Sequence, residues 1–506
     1  MKKHLLFIFT ALLPLLASAQ TVEIEGIWYV LTAGTGQAEV TRNPDRTTTY
    51  TGEVTIPSTV TNGGVEYSVT SIGDQAFRGS IDLTAVTIPA SVTSLGSSAF
   101  FGCSGLATIE LPSGLTGSIG NYAFYECSEL TAITIPENVS SIGQSAFNGC
   151  KKLASVTLPK SMESIGTYAF RECDALISIV IPEGVTSIGE STFHSCNALT
   201  SITVPASVTS FGSDAFRDCK ALTDVYISSV EAWCNISVGS KNATPLQYAT
   251  NLYLNGTPVT ELAIPGTVTA VKDYAFYMLN GLTSVTLSEG VTSVGEFAFR
   301  DCADLETLTL PTSVASIGAS AFNGCKKLAS ITCKAVTPPT CGSNAFVFVE
   351  KSIPLYVPTS AIAAYQAAEG WMDFTNMQAM PEVTVTGITL DQATATLTEG
   401  ETLTLTATVT PDDATDKTVV WSTSDAEVAT VDENGVVTAV AEGTATITAT
   451  AGGKEAACVV TVSGDTTGIE LTEAQGSSVI YDLQGRRVEK ATKGIYIVNG
   501  KKVVIK

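Results

Sequence analysis

A short motif, Ser-Ile-Gly-x-x-Ala-Phe, recurs along most of this chain of 506 residues and constrains its fold more than any other feature. Successive motif phenylalanines are 23 or 24 residues apart, except for one step of 60, which equals 23 plus an insertion of 37. A fixed period in the twenties is typical of a solenoid, in which each repeat forms one coil and stacks on its neighbours. The repeat phenylalanines are Phe77, Phe100, Phe124, Phe147, Phe170, Phe193, Phe216, Phe276, Phe299 and Phe322, with a last one at Phe346.

One repeat shows what a coil contains. Leu153, Val156 and Leu158 have the spacing of a leucine-rich repeat strand, with Val156 and Leu158 directed inward and the residues between them outward. Pro159 ends this strand, because proline cannot donate to a β-ladder. We expect Gly166 to provide a turn before a short helical or irregular Ala-Phe segment. Since no coil can bury its own phenylalanine, Phe should stack on Phe along the solenoid axis.

The N-terminal segment has the pattern of a secretory signal peptide. Lys2 and Lys3 precede an apolar stretch from Leu5 to Leu16, and Ala17-Ser18-Ala19 forms a small-residue cleavage site. We therefore expect residues 1–19 to be removed on export, with an uncleaved membrane anchor as the alternative. The net charge of −22 argues against nucleic-acid binding, which needs a basic surface.

The repeats resemble a known family. The unit I-T-I-P-x-x-V-x-S-I-G-x-x-A-F-x-x-C-x-x-L resembles the BspA-like leucine-rich repeats of bacterial surface proteins, over roughly residues 50–380. The insertion near residues 228–260 resembles that family as well. The resemblance implies a mainly β protein with a solenoid of parallel strands over residues 71–380, preceded by a β-rich cap over residues 20–70. It also implies adhesion to host extracellular proteins or to other cells.

The pattern changes after Pro381. From residue 384 to 463, apolar residues alternate with outward threonines, which is typical of the strands of a β-sandwich. This region resembles the group 2 bacterial immunoglobulin-like domain, with Trp421 as its core tryptophan. Asn434-Gly435 is a hairpin signal. Cys458 has no partner within the domain, so no intersheet disulfide is expected there.

The C-terminal segment differs in charge from the domain before it. Residues 464–478 have the polar composition of a linker, and residues 479–506 carry seven bases and two acids in short strand-like runs. This segment resembles a short C-terminal sorting domain of type IX secretion substrates, which implies contact with secretion machinery. The alternative is one more β-hairpin without a targeting role.

The cysteines follow the repeat, and most lie three residues after a repeat phenylalanine. Such a register favours a ladder of free, buried thiols over disulfides between neighbouring coils, which export would allow. No coil has the paired ligands that a zinc site needs. Cys333 and Cys341 are the best candidates for a disulfide. The ladder positions are Cys103, Cys127, Cys150, Cys173, Cys196, Cys219, Cys302 and Cys325.

The sequence indicates binding rather than catalysis. His194 is the single histidine of the expected mature chain and occupies a variable repeat position, where an exposed or edge histidine is more common than a catalytic one. There is no nucleophile elbow or phosphate-binding loop in context. A glycosidase needs two carboxylates that face one groove, and the sequence singles out no such pair. We expect no enzyme activity, no cofactor and no metal.

The outward residues of the repeat strands are mostly serine and threonine, which predicts a flat, polar contact surface. Asp224 and Tyr226, beside the inserted Trp233, are exceptions and form the candidate ligand contact. We expect a monomeric binding protein at the outer-membrane surface or outside the cell, with a host protein or glycan as its partner. The alternative is a polysaccharide-capture or structural envelope component, and a hydrolase is a distant third.

Overall fold

The computed structural model describes residues 19–46, 49–412, 414–464, 479–490, 492–498 and 501–505. The chain divides into two compact units, on either side of the bond between Met380 and Pro381. Nearly all of the predicted signal peptide and linker, namely residues 1–18 and 465–478, lies outside the described residues.

The first unit is a solenoid, as predicted, but most coils have two parallel strands rather than one. The predicted strand is present, and Ser155–Thr157 pairs in register with Ser178–Val180 of the next coil. We call the surface formed by these strands the long-strand face. Its strands are Gly52–Thr55, Leu83–Thr87, Thr108–Ile109, Ala132–Thr134, Ser155–Thr157, Ser178–Val180, Ser201–Val204, Asp224–Ile227, Asn251–Leu254, Glu261–Ile264, Ser284–Leu287, Thr307–Leu310, Ser330–Cys333, Pro354–Val357 and Asn376–Ala379.

Where a coil has a second strand, this strand contains the Ser-Ile pair of the repeat motif or the residues at the equivalent position. Ser164–Ile165, for example, pairs in parallel with Val139–Ile142 of the preceding coil. These short strands form a separate face of the solenoid. They are Val65–Ile72, Ser94–Leu95, Gly117–Ile119, Val139–Ile142, Ser164–Ile165, Ser187–Ile188, Ser210–Phe211, Ser237–Val238, Ala270–Val271, Ser293–Val294, Ser316–Ile317 and Thr340–Cys341.

The Ala-Phe segments form consecutive turns, and together they make a third surface, which we call the turn face. Two residues of each regular coil have left-handed backbone there, as Tyr168 (φ 60°) and Glu172 (φ 58°) show. Gly166 begins the first of these turns, as predicted, because its carbonyl oxygen accepts from the backbone nitrogen of Ala169 at 3.2 Å. Its own backbone is not left-handed; glycine is needed there for close packing, because a Cβ atom would lie 2.6 Å from the backbone nitrogen of Gln144 in the preceding coil.

The repeat phenylalanines form the stack that the repeat period implies. Their ring centroids are 4.9 Å apart at Phe77–Phe100 and 5.7 Å apart at Phe170–Phe193, and the rings are nearly parallel. The backbone nitrogen of each repeat phenylalanine up to Phe322 donates to the next coil, as that of Phe147 does to the carbonyl oxygen of Ala169 (2.8 Å). Other aromatic residues close the two ends: Tyr50 packs on Phe77, and Trp371 packs on Phe346.

A ladder of thiols runs beside this stack. Each ladder cysteine donates from Sγ to the carbonyl oxygen of the phenylalanine in the preceding coil, as Cys150 does to Phe124 at 3.1 Å. Burial raises the pKa of these thiols, and it raises that of Cys325 to about 12. All 12 cysteines of the chain are free.

The predicted disulfide between Cys333 and Cys341 is therefore wrong. Cys333 ends a strand of the long-strand face and is fully buried, whereas Cys341 belongs to a short strand. The Cys333 sulfur accepts a hydrogen bond from the hydroxyl of Tyr365 at 3.0 Å. The thiol is thus fixed by a core tyrosine rather than by the second cysteine.

The insertion forms one modified coil. It contains helix α1 (Val230–Cys234), capped by the Ser229 side chain, and 3-10 turns at Lys241–Ala243 and Pro245–Gln247. Asn251–Leu254 continues the long-strand face and then turns back antiparallel into Thr257–Pro258. The phenylalanine stack is interrupted here, but the hydrophobic core remains continuous from one side to the other.

Both ends of the solenoid are capped. At the N-terminal end, Ala19–Ile24, Ile27–Thr32 and Gln37–Thr41 form an antiparallel meander, and Thr59–Asn62 pairs with Val65–Ile72. At the C-terminal end, a 3-10 turn (Thr359–Ala361) leads into helix α2 (Ile362–Ala367). Caps of this kind cover the apolar surface that a terminal coil would otherwise expose.

The second unit begins with the predicted immunoglobulin-like β domain. Trp421 is partly buried and packs against both apolar clusters of this domain, and Cys458 is fully buried. At the predicted hairpin, the carboxylate of Asp432 accepts the backbone N–H of Asn434 and Val436. The strands are Gly387–Leu390, Thr394–Thr398, Thr402–Thr404, Ala407–Thr410, Val420–Thr423, Ala429–Val431, Val436–Ala439, Gly443–Ala451 and Lys454–Ser463.

The C-terminal β segment is an antiparallel sheet of four strands. The second Asn-Gly signal, Asn499-Gly500, lies outside the described residues. The strands are Ile480–Tyr481, Arg487–Val488, Gly494–Val498 and Lys501–Ile505.

Candidate binding surface

The long-strand face presents two rows of outward side chains, in register from coil to coil. Through most of the N-terminal coils these side chains are serine, threonine or alanine. The pattern changes where the coils approach the insertion: Ser201 pairs with Asp224, and Thr203 pairs with Tyr226. Asp224 and Tyr226 in turn pair with Asn251 and Tyr253 of the modified coil.

Apolar and aromatic groups come together at this point. Val180 is in register with Thr203 and has 64% of its surface exposed. The preceding coil has Thr157 at this position, so an exposed apolar side chain replaces a polar one. The rings of Tyr226 and Tyr253 are stacked with centroids 4.7 Å apart. A groove of about 730 Å³ runs along Val180, Thr203 and Tyr226 and is also lined by Pro182, Pro205, Ile227 and Asn255. A concave, mostly apolar surface with a few polar groups is the usual form of a binding site.

Asp224 lies on the same strand as Tyr226, in the second outward row of the face. Its carboxylate accepts hydrogen bonds from Asn251 (2.9 Å) and Thr223 (2.8 Å). Burial alone would raise the pKa of Asp224, but the hydrogen bonds from Asn251, Thr223 and Tyr253 outweigh it and lower the pKa. The side chain therefore stays ionised and holds its neighbours in place, which suits binding better than acid–base catalysis.

Trp233 does not belong to this surface, so its predicted role as a ligand contact is wrong. Its side chain is 3% exposed and packs edge-on against Phe211. The indole Nε1 donates to the carbonyl oxygen of Ala275 at 2.7 Å. Trp233 thus joins the coils on the two sides of the insertion, where the phenylalanine stack is interrupted.

His194 lies on the turn face and is partly buried. Its Nε2 is 3.8 Å from a carboxylate oxygen of Asp218. Burial lowers the pKa of His194, and Arg171 and Arg217 lower it further. Among the residues that the structure describes, there is no group of three or more histidine, cysteine, aspartate or glutamate side chains suited to hold a metal ion.

The turn face has a second group of binding-type residues, which the sequence analysis did not identify. The guanidinium carbon of Arg78 lies 4.1 Å from the ring centroid of Phe101, and Phe101 stacks on Tyr125 at 4.7 Å. Tyr274, Phe297 and Arg300 form a similar cluster beyond the insertion. Four residues of the two clusters, Arg78, Phe101, Tyr125 and Arg300, directly follow a repeat phenylalanine. An alignment of that position across the coils would have revealed these four.

Comparison with known proteins identifies both units. The BspA type leucine rich repeat region matches residues 58–131, 117–235 and 249–362, and the bacterial Ig-like domain (group 2) matches residues 384–462. A leucine-rich repeat protein from Bacteroides ovatus is 24% identical, with a TM-score of 0.42, and covers 71% of this chain and 100% of its own. A leucine rich cell surface protein from Faecalibacterium prausnitzii is 28% identical, also with a TM-score of 0.42, and covers 72% and 96%.

Curated relatives share only a short segment with this chain. A 3-O-alpha-D-galactosyl-alpha-L-arabinofuranosidase from Bifidobacterium longum is 51% identical over 83 residues, which are 16% of this chain and 7% of that enzyme. A lacto-N-biosidase from Bifidobacterium bifidum is 51% identical over 84 residues, or 8% of its length. The chain thus spans less than a tenth of these two relatives.

In the parts of the chain that the structure describes, no helix is long and apolar enough to cross a membrane. The BspA type matches together span more than half of the chain, from residue 58 to 235 and from 249 to 362. They coincide with coils whose strands, phenylalanine stack and thiol ladder repeat in the structure. The chain belongs to the BspA type leucine-rich repeat proteins and carries a group 2 bacterial immunoglobulin-like domain after its solenoid.

Proposed function

We propose that the chain is a non-enzymatic adhesion protein that acts outside the cell and binds an extracellular protein through the long-strand face. One observation carries this proposal: the outward row of Val180, Thr203, Tyr226 and Tyr253 crosses four successive coils in register, and its first three members line one groove. Valine and tyrosine replace there the serine and threonine found on most of this face. Tyrosine is among the residue types that contribute most to protein–protein interfaces.

The surroundings of the row support a macromolecular partner. A groove shared by several coils is open along its length, which suits an extended segment better than a small molecule. The flanking serine and threonine rows add polar area without strong anchors, so each contact contributes little. Repeated display of such an adhesin would strengthen attachment by multivalency.

A binding screen tests this proposal. Purified chain is titrated against immobilised extracellular-matrix proteins, and the partner that is retained is then tested against Tyr226→Ala and Val180→Glu. The matched control is Thr309→Glu, which changes the equivalent strand position beyond the insertion. We expect the first two variants to lose binding at least about tenfold and the control to keep it. Binding that the two variants leave intact would contradict the assignment to this face.

We also propose that the C-terminal segment directs the chain to the cell surface through type IX secretion. The segment leaves Tyr481, Ile495 and Val504 of its sheet exposed, and also Leu483 of the first turn, at 59%. A sheet this small buries little apolar surface, so a targeting role explains it better than a stabilising one. A chain truncated after Gly476 should fold and leave the cytoplasm but resist shaving from intact cells. Equal shaving of the full and truncated chains would reject the sorting role.

A further inference from the structure

The turn face contains a slot that neither the repeat pattern nor the adhesion proposal explains. The residues that follow the repeat phenylalanines stack from coil to coil as Arg78, Phe101 and Tyr125. The next two coils have Asn148 and Arg171 at this position. Because Asn148 is short, the row of large side chains is interrupted for one coil. A cavity of about 530 Å³ lies there, and Tyr125, Asn148 and Arg171 all line it.

The width of the slot follows from the repeat. Neighbouring coils are separated by the strand spacing of ~4.8 Å, so Tyr125 and Arg171, two coils apart, stand about 10 Å apart. After subtraction of the thickness of the two side chains, that distance accommodates one six-membered ring. Tyr125 is held firmly in position, because Phe101 stacks on one side of it and Tyr122 contacts it edge-on at 6.0 Å.

The groups around the slot can both donate and accept hydrogen bonds. One guanidinium nitrogen of Arg171 pairs with Glu172 at 3.2 Å, and both residues line the cavity. Glu126 and Lys151 also line the cavity. Burial raises the pKa of the Tyr125 hydroxyl, as do the nearby carboxylates of Glu126 and Glu172, so this group remains a donor.

We propose that this slot binds one neutral pyranose unit of a glycan. The apolar face of the sugar ring lies on Tyr125, while the floor and rim of the slot bind its hydroxyl groups. Vicinal hydroxyls each donate and accept, which matches a lining of amide, guanidinium and carboxylate groups. The two positive and two negative side chains, Lys151, Arg171, Glu126 and Glu172, balance each other, which favours a neutral sugar over an acidic one.

A peptide aromatic side chain fits the slot less well. It would stack on Tyr125 in the same way, but it would cover Asn148 and the carboxylates without replacing their hydrogen bonds to water. Each buried polar group left unpaired weakens binding, because its lost contact with water is not replaced. The site lies on a different face from the long-strand groove and takes a different class of ligand, so it extends the proposed function and does not depend on it.

The chain contains a matched control for this site. The segment Ser145–Ser155 is identical in sequence to Ser320–Ser330. In the second copy Asn323 takes the place of Asn148, but it is only 9% exposed and lies between coils that carry Arg300 and Val347. Asn148→Tyr and Asn323→Tyr are therefore the same change in the same local sequence. Tyrosine already occurs at this position as Tyr125, so both variants should fold.

The test uses the whole chain without its signal peptide on an array of immobilised neutral and uronate-containing oligosaccharides. We expect neutral glycans to be retained, and Asn148→Tyr to reduce their binding at least about tenfold. Asn323→Tyr should leave binding unchanged, and so should Tyr226→Ala, which affects only the adhesion surface. Selective retention of uronate-containing glycans would overturn the proposal, as would retention that survives Asn148→Tyr or that falls equally in Asn323→Tyr. The failure of all neutral glycans to bind would overturn it as well, and Tyr226→Ala would still report separately on adhesion.

Discussion

The two identical segments, Ser145–Ser155 and Ser320–Ser330, occupy coils on opposite sides of the insertion. Phe147 stacks on Phe124 at 5.3 Å, and Phe322 stacks on Phe299 at 5.3 Å. Each segment places one cysteine sulfur on the carbonyl oxygen of the preceding phenylalanine, at 3.1 and 3.2 Å. Identical sequence thus gives the same backbone and the same core contacts in two places.

The same segments differ at the surface. Asn148 is half-buried beside an open slot, whereas Asn323 is buried. The difference comes from the coils before and after, which supply Tyr125 and Arg171 in one place and Arg300 and Val347 in the other. The sequence of a coil thus determines its core contacts, whereas the side chains of the adjacent coils determine what its surface can bind.

The largest effect is expected from removal of a stacked ring in either copy. Phe147→Ala and Phe322→Ala should each reduce the free energy of unfolding by ~3–5 kcal/mol, because a cavity replaces a fully buried ring between two others. Damage should spread to adjacent coils, since a solenoid is held together by nearest-neighbour contacts. Denaturant unfolding measures the loss of free energy, and hydrogen exchange shows which adjacent coils are affected. An unchanged midpoint in one copy would show that the two coils are not equivalent in the core.

Removal of the thiol at the equivalent position of each identical segment should have a smaller effect, and this effect should depend on pH. Cys150→Ala and Cys325→Ala should each cost about 1–2 kcal/mol near neutral pH. The pKa of each folded thiol is raised, so its contribution to stability is complete below the ordinary thiol pKa and is lost as pH rises toward the folded value. The loss is up to ~1.4 kcal/mol per pH unit.

The destabilisation caused by these two alanine variants should therefore shrink as pH rises. Unfolding curves between about pH 8 and about pH 11 test this. A difference from the parent chain that stays constant over that range would mean that the thiols ionise as easily in the folded chain as in the unfolded one.

The left-handed glycines provide a third comparison. Gly149 (φ 76°) and Gly324 (φ 82°) occupy the same turn, so Gly149→Ala and Gly324→Ala should each cost about 1–2 kcal/mol. A Cβ atom at Gly324 would also meet the carboxylate of Asp301, but that side chain can rotate away. We expect thermal melting to show losses equal within about 0.5 kcal/mol. A much larger loss at Gly324 would show that the Asp301 carboxylate is held in place.

The smallest effect is expected at the matched surface ion pairs. Lys152 contacts Glu129 at 2.6 Å, and Lys327 contacts Asp304 at 2.7 Å, with both lysines largely exposed. Lys152→Met and Lys327→Met should change stability by less than ~1 kcal/mol, because solvent and salt screen such pairs. Melting at low and high salt measures the difference. A loss above that bound would indicate a wider charge network around one of the copies.

Much of the fold could be predicted because the same pattern of residues occurs in many successive repeats. A period of 23 residues, with one phenylalanine and one cysteine at constant separation, requires both residue types to line up along the axis. The short strand was missed because Ser164–Ile165 has only two residues, too few to show alternation. The turn at Gly166 is predictable, but the need for glycine there comes from the backbone of the preceding coil, which a single repeat does not reveal.

The candidate sites were less predictable than the fold. Asp224 and Tyr226 could be identified because they break a regular row; in the structure Tyr226 lines a groove, and Asp224 lies two residues before it on the same strand. Trp233 was misassigned, since an aromatic residue in an insertion can equally be an anchor for a ligand or a core residue. Its burial depends on contacts with Phe211 and Ala275, the latter 42 residues away along the chain.

The sequence by itself determined the coil: its period, its inward residues, its stacked rings and its free thiols all follow from spacing that repeats. Only the tertiary structure decided which surface positions act together. Tyr125 and Arg171 are 46 residues apart in the chain, yet stacking of coils brings them to the two sides of one slot. The physical reason is that core contacts repeat with the motif, whereas a binding surface depends on which variable side chains the coil spacing places side by side.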